Sequence, residues 1–307
     1  MNDTLKNTTE PRVEFDMFDP RYPEGLIHMQ QPPHRLYVIG SVQVLATPAL
    51  AIVGARKATP YGLSCARRFA RAAALRGITI VSGGAVGCDQ AAHQGALDVG
   101  GTTLVVLGCG ADVIYPARAE ALFNQVLEAK GALVSEAPWG STPTKWGFKK
   151  RNRIIAGLAQ ATLIVEAGLP SGTFSTADAT LAQGKEVLAV PGSIYAKESK
   201  GANRLIAQGA IPIIDDDSFK DALQMLFDLP NIPHPEATKT ADNQASATEA
   251  GLKGKVLAAL SQEPQRAEAL QGICGDNVVE VIRYLSTLEL AGHVEKLRDG
   301  RYSVAYG

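Results

Sequence analysis

ALAIVGARKATPYGLSCARRFARAAALRGITIVSGG, residues 49–84, sets two short apolar runs on either side of a long amphipathic stretch. ALAIV and ITIV lack the regular apolar–polar alternation of a half-exposed strand, so they read as strands covered on both faces. The stretch between them is long enough to form a helix and return the chain, which makes the two strands parallel. The same rhythm continues outward through TLVVLG, ALVSEA, ATLIVEAG, EVLAVPG and AIPII. Together these runs predict an α/β fold, a Rossmann-like doubly wound and mostly parallel sheet over residues 46–229.

On the amino-terminal side, residues 1–45 are polar and then loop-like, with Pro20, Pro23, Pro32 and Pro33 breaking any long helix. They are expected to form an extended lead-in. On the other side, residues 230–252 are rich in Pro, Thr, Ala and Asn without periodicity, which predicts a flexible linker. Residues 253–307 show three short amphipathic helical patterns and then two short strands about Arg298-Asp299-Gly300. That order predicts a small carboxyl-terminal winged-helix domain.

Of the 307 residues 46% are hydrophobic and 20% charged, as in an ordinary globular protein. No run approaches the ~18 uninterrupted apolar residues of a membrane helix. The first residues lack an apolar signal core, so a cytoplasmic location without membrane attachment is expected. Cys65, Cys88, Cys109 and Cys274 stand far apart with no C-x-x-C pair, so free buried thiols are expected rather than a metal site or disulfides.

The net charge of −1 conceals an asymmetry. Residues 1–214 carry 21 bases against 16 acids, and 215–307 carry nine bases against 15 acids. Two acid-free stretches concentrate the positive side: residues 25–88 with seven Lys and Arg, and 137–165 with five. Such local bias points to an anionic partner.

In an open parallel sheet, ligands bind beyond the carboxyl ends of the strands. Three glycine-rich turns lie at such ends: Gly54 with Arg56, the run Ser82, Gly83, Gly84, Ala85 and Gly87, and the run Ser171, Gly172 and Thr173. The latter two each precede a helix, whose unpaired N–H groups and partial positive charge attract phosphate. The turns match neither G-x-G-x-x-G nor a Walker loop, so no nucleotide cofactor is expected. Side by side, they predict a phosphate-binding trough.

FKKRNRIIAGLAQ, residues 148–160, adds Lys149, Lys150, Arg151 and Arg153 before an apolar helical pattern. Cations near a helix start are disfavoured unless an anion offsets them. Phe148 and Trp146 place rings beside those cations, an arrangement suited to a single strand with unstacked bases. Elsewhere, Asp89 is expected to cap a helix and His93 to pack or hydrogen-bond. Glu136 and Glu166 lie near strand ends, where a catalytic carboxylate would sit, but neither has a paired acid at a set separation.

In chain order, VGARKATPYG, SGGAVGCDQAAHQGAL, VVLGCGADVIYP, SEAP, FKKRNRIIAGLAQATLIVEA, SGTFSTADA, AVPGS and GANRLIAQGA resemble the DNA-processing protein A family (DprA, also called Smf). The resemblance implies a Rossmann-like domain that binds single-stranded DNA, dimerises and recruits the RecA recombinase during natural transformation, with no established catalytic reaction. It further implies phosphate contacts at Arg56 and at Ser82 to Gly87. Lys145, Phe148, Arg151, Asn152 and Arg153 would form a basic and stacking wall, and Ser171, Gly172 and Thr173 the rest of the trough. Arg151 and Arg153 are the expected phosphate ligands. Lys149 stands where the family usually has proline, and Cys88 where it has a hydrophobic residue, so Lys149 is left outside the predicted set. The helical amino-terminal extension of many members is expected to be lacking.

The third helical pattern of the carboxyl-terminal module holds Asp276, Glu280 and Glu289 against Arg283. That is a poor charge balance for reading a major groove, so a regulatory or protein-contact role is expected. Two other functions stay open. A phosphoribohydrolase of the LOG type is similar in fold, but after Gly172 and Thr173 the nearest acid is Asp178 rather than the glutamate of its motif. A nucleotide sensor signalling to the winged helix is the other.

Overall fold

Two strands that the sequence reading placed outside the sheet open the fold. β1 (Arg12–Asp16) and β2 (Arg35–Gly40), with the one-turn helix α1 (Glu24–Ile27) between them, lie within the expected lead-in. They pair antiparallel, and β2 adds antiparallel to the main sheet, Tyr37 opposite Ser135. Residues 10–45 are thus not a detached segment. The computed structural model describes residues 10–227, 246–274, 277–290, 293–297 and 299–304. The chain divides into two compact units, 1–231 and 232–307.

In the first unit, β3 (Ala49–Val53), α2 (Pro60–Ala74), β4 (Thr79–Ser82), α3 (Cys88–Leu97), β5 (Thr103–Val106), α4 (Glu120–Glu128) and β6 (Ala132–Ser135) form one winding. α5 (Lys145–Leu158), β7 (Ala161–Ile164), α6 (Phe174–Leu181), β8 (Glu186–Ala189), α7 (Lys200–Ala207), β9 (Ile211–Pro212) and α8 (Asp216–Phe227) form the other. The sheet order is β1-β2-β6-β5-β4-β3-β7-β8-β9, and β3 through β9 are parallel to one another. Burial explains the absence of polar alternation in these strands. Ala49, Ala51 and Val53 face a core with Ile154, Ile155 and Leu158 of α5, while Leu50 and Ile52 face Phe69, Ala73 and Phe219 on the other side.

The second unit holds α9 (Ser246–Gln262), α10 (Gln271–Cys274), α11 (Val278–Leu290) and the antiparallel pair β10 (Val294–Lys296) and β11 (Tyr302–Val304). Val256, Leu260, Leu270, Val281, Leu285 and Tyr302 form its core. This is the expected order of helices and hairpin. α9 begins inside the stretch read as linker; residues 230–245 of that stretch, with Asp276 and the Cys274 side chain, lie outside the described residues.

Candidate nucleic-acid interface

Strand order runs in opposite directions from β3, toward β4 on one side and β7 on the other. The turns leaving β3 and β7 therefore part, and a crevice opens between them at the carboxyl edge, as the topology of such sheets dictates. A cavity of about 850 Å³ occupies it. Arg56 and Lys57 enter after β3, residues 168–176 after β7, Lys145, Phe148, Lys149 and Asn152 from α5, and Lys197 from the turn after β8. Asp89, Asp178 and Glu198 are the acids that line it. Among the described residues, none of Arg56, Lys57, Lys145, Lys149 and Lys197 is ion-paired, so their charge is available to an anion.

The three predicted turns separate into one open wall and two packed ones. Gly172 has open space where a side chain would stand. Ser171 Oγ accepts from Thr173 N–H (3.2 Å), and Asn152 Nδ2 donates to Ser175 Oγ (2.7 Å), which holds this turn against α5. Ser82, Gly83, Gly84 and Gly87, expected to contact phosphate, do not line the cavity. Ser82 is fully buried and donates to the Ile52 carbonyl (2.6 Å). At Gly83 an added Cβ would lie 2.1 Å from Arg151 Nη1, so this glycine makes room for a buried guanidinium. Gly87, at φ +97, would meet the Ala55 carbonyl at 2.3 Å. Gly54 lines the cavity, but a Cβ there would meet the Cys88 side chain within 2.7 Å. Ala85 reaches the cavity from the same packed loop.

α5 starts three residues before Phe148, and Thr144 caps it by accepting from Gly147 N–H (3.0 Å). Most of the expected cationic helix start thus lies a turn or more inside the helix, where the dipole penalty fades. Its cations divide in a way the sequence reading did not anticipate. Lys145 and Lys149 are exposed at the cavity. Arg153, expected to bind phosphate, lies outside the cavity lining and donates to Glu136 Oε2 (2.6 Å), which also holds Lys150 (3.1 Å). Arg151 is only 4% exposed. Its Nη1 donates to the carbonyl of Val106, the last residue of β5, and it touches only the cavity floor. The two expected phosphate ligands are therefore engaged by protein partners, and the lysine set aside at the family's proline position faces the crevice.

Rings gather at the α5 side. Phe148 lies 5.1 Å from Tyr115, their planes tilted by 33°, and the Arg56 guanidinium carbon stands 5.4 Å from the Phe148 centroid. Lys150 Nζ stands 4.9 Å from the Trp146 ring. Beneath the cavity, Asp89 accepts from the N–H groups of Ala85 (3.3 Å) and Gly54, tying the turns after β3 and β4 together rather than capping α3. Burial raises its pKa against the pull of Arg151, and burial lowers Arg151 to about 10. The other candidate carboxylates are engaged as well, since Glu166 is buried and accepts from Thr59 N (2.9 Å) and Oγ1 (2.6 Å) at the start of α2. Cys65, Cys88 and Cys109 are free, and burial pushes Cys65 and Cys109 up to about 11 and Cys88 higher still.

A family model described as DNA recombination-mediator protein A matches residues 15–224. The chain belongs to that family. A second model, the DprA winged helix domain, matches residues 239–300, in agreement with the helices and hairpin of the second unit. Among members of the family, Protein Smf of Escherichia coli (strain K12) is 39% identical over 280 residues, covering 91% of this chain and 74% of that protein. The crystal structure of DNA processing protein A from Streptococcus pneumoniae superposes with a TM-score of 0.64 at 34% identity, covering 70% of this chain and 74% of that one. The structure describing the single-stranded DNA binding mode of DNA processing protein A from Helicobacter pylori gives 0.63 at 30%, covering 72% and 97%.

Set in this family, the cavity includes three cations that the motif blocks did not single out. Lys57 follows Arg56 in the same turn, Lys149 sits one helical turn beyond Lys145, and Lys197 lies after β8. All three obey the rule already in use, that ligand-facing residues collect after the carboxyl ends of strands or on the helices that start there. Tyr115 left no such signal, because its turn contains no cation before Arg118.

Proposed function

We propose that this chain binds single-stranded DNA in the crevice between the β3 and β7 turns, without catalysing a reaction on it, and that as a homodimer it loads a RecA recombinase onto the strand. The observation that carries the reading is the pairing of unneutralised cations with the Phe148 ring in one open cavity at the switch point of the sheet. Phosphates would lie along Arg56, Lys57, Lys145 and Lys149, and a base would reach the ring layer, which requires it to be unstacked. The named subject of the Helicobacter pylori structure and the recombination-mediator description of the family support the same ligand and setting.

Titration of oligonucleotides against salt tests it. Affinity is expected to fall steeply with salt. Arg56→Ala should weaken binding roughly tenfold and flatten the log–log salt slope by about 0.7, the share of one single-strand phosphate. Lys149→Ala should act in the same direction, whereas Arg153→Ala, engaged by Glu136, should leave the slope unchanged. Equal affinity for duplex, or binding indifferent to salt, would sink the proposal. For the recombinase step, the chain should shorten the lag of RecA filament growth on single strands, with a solution mass of two chains. A lag unchanged by added protein argues against loading.

A further inference from the structure

We infer that Tyr115 is a second base-stacking surface of the single-strand site, so that consecutive bases lie against Tyr115 and Phe148 rather than one base against Phe148 alone. This rests on the single-strand reading and specifies how many rings that site offers. Phe148 is a crowded platform. It is half-buried, Arg56 stands over its ring, Tyr115 packs beside it, and Gly108 abuts it so closely that an added Cβ would lie 2.8 Å from its Cδ1. Tyr115 is the exposed member of this layer, with 41% of its surface open.

Its backbone is held in place before any ligand arrives. Val113 and Ile114, the two residues before it, are buried in the core. The Val113 N–H donates to the Gly110 carbonyl (2.9 Å), and Cys109 Sγ donates to the Val113 carbonyl (3.4 Å). A large ring packed beside Phe148, with 41% of its surface open, gains most from a flat apolar partner. Beside the free cations Arg56 and Lys145, the flat partner that also carries negative charge is a nucleobase on its phosphate backbone. Arg56 then serves both members, its guanidinium lying over the inner ring while its charge faces the strand.

The full-length protein tests this with two ligands of equal phosphate count, an oligo(dT) and a tetrahydrofuran-spacer strand that lacks bases. Tyr115→Leu keeps an apolar contact with Phe148 and removes the π face. It is expected to weaken oligo(dT) binding about fivefold to tenfold and to leave spacer-strand binding unchanged, while Tyr115→Phe stays near wild type on both. If Tyr115→Leu binds oligo(dT) as tightly as wild type, Tyr115 contacts no base. If it loses the same factor on the spacer strand, the tyrosine only props the site, and the inference fails with the single-strand reading intact. If the wild type binds neither ligand, the single-strand reading itself falls and takes Tyr115 with it.

Discussion

Arg151→Met is expected to destabilise the α/β unit by about 3–5 kcal/mol, the order of loss when a buried charge is left uncompensated. The guanidinium is almost wholly enclosed, donates to the Val106 carbonyl at the end of β5, and fills the space left by the missing side chain of Gly83. Its charge also offsets that of Asp89, which is buried at the start of α3. Removing it leaves the Asp89 carboxylate with two backbone N–H partners and only the weaker pull of Arg56, while α5 loses its tie to β5. Since α5 carries Lys145, Phe148, Lys149 and Asn152 to the crevice, lost single-strand affinity should accompany lost stability. Both tryptophans, Trp139 and Trp146, lie in the α/β unit, so urea unfolding followed by their fluorescence reports this unit alone. Asp89→Asn should cost less in the Arg151→Met background than in the wild type, because the orphaned charge is then absent. Strict additivity of the two substitutions would show that the residues do not compensate each other.

The parallel core of this fold was legible because β3 to β8 are buried on both faces and so read as nearly continuous apolar runs between helices of crossover length. β1 and β2 were not. β1 is largely exposed at the sheet's edge and β2 pairs in the opposite sense, and such an attachment depends on a tertiary contact that no local pattern records. The site shows the same division. Arg56, Lys145, Phe148, Asn152 and Ser171 to Thr173 surround one cavity, because the rule about strand ends is topological and needs only the order of elements. The roles of the cations within α5 turn instead on which way the helix faces. Arg151 shares the helical spacing of Phe148, Ile154, Ile155 and Leu158, an inward stripe, and that spacing could have predicted its burial. Nothing local shows that Glu136 claims Arg153, or that Lys185 reaches the far end of α5 to donate to the carbonyls of Ala156 and Gly157, both at 2.9 Å.

Acid should weaken the α/β unit through His93. This ring is fully buried, and Nδ1 lies 2.7 Å from Thr103 Oγ1. The single hydroxyl proton of Thr103 goes to the Ile80 carbonyl (2.7 Å), so Nδ1 must carry the hydrogen and donate, leaving Nε2 as the bare nitrogen. Nε2 has no partner among the described residues. A proton there would be a charge without solvent or acceptor, and Arg151 repels it further; burial first and that repulsion second push the His93 pKa down to about 3. An unfolded histidine takes up its proton near 6.5, so between about pH 6.5 and 3 the unfolded chain binds the extra proton and stability falls as the pH drops. The slope is about 1.4 kcal/mol per pH unit, or roughly 2 kcal/mol by pH 5. Asp89 acts in the opposite sense. Its pKa is raised, so below that value the folded state takes up a proton that the unfolded chain does not yet hold, which partly masks the histidine. His93→Phe separates the two: it keeps similar volume, leaves Thr103 donating to Ile80, and removes only the titrating group. Urea midpoints of the variant should lose most of the wild-type decline between pH 6.5 and 5. An identical decline in both proteins would place the acid sensitivity in a different group.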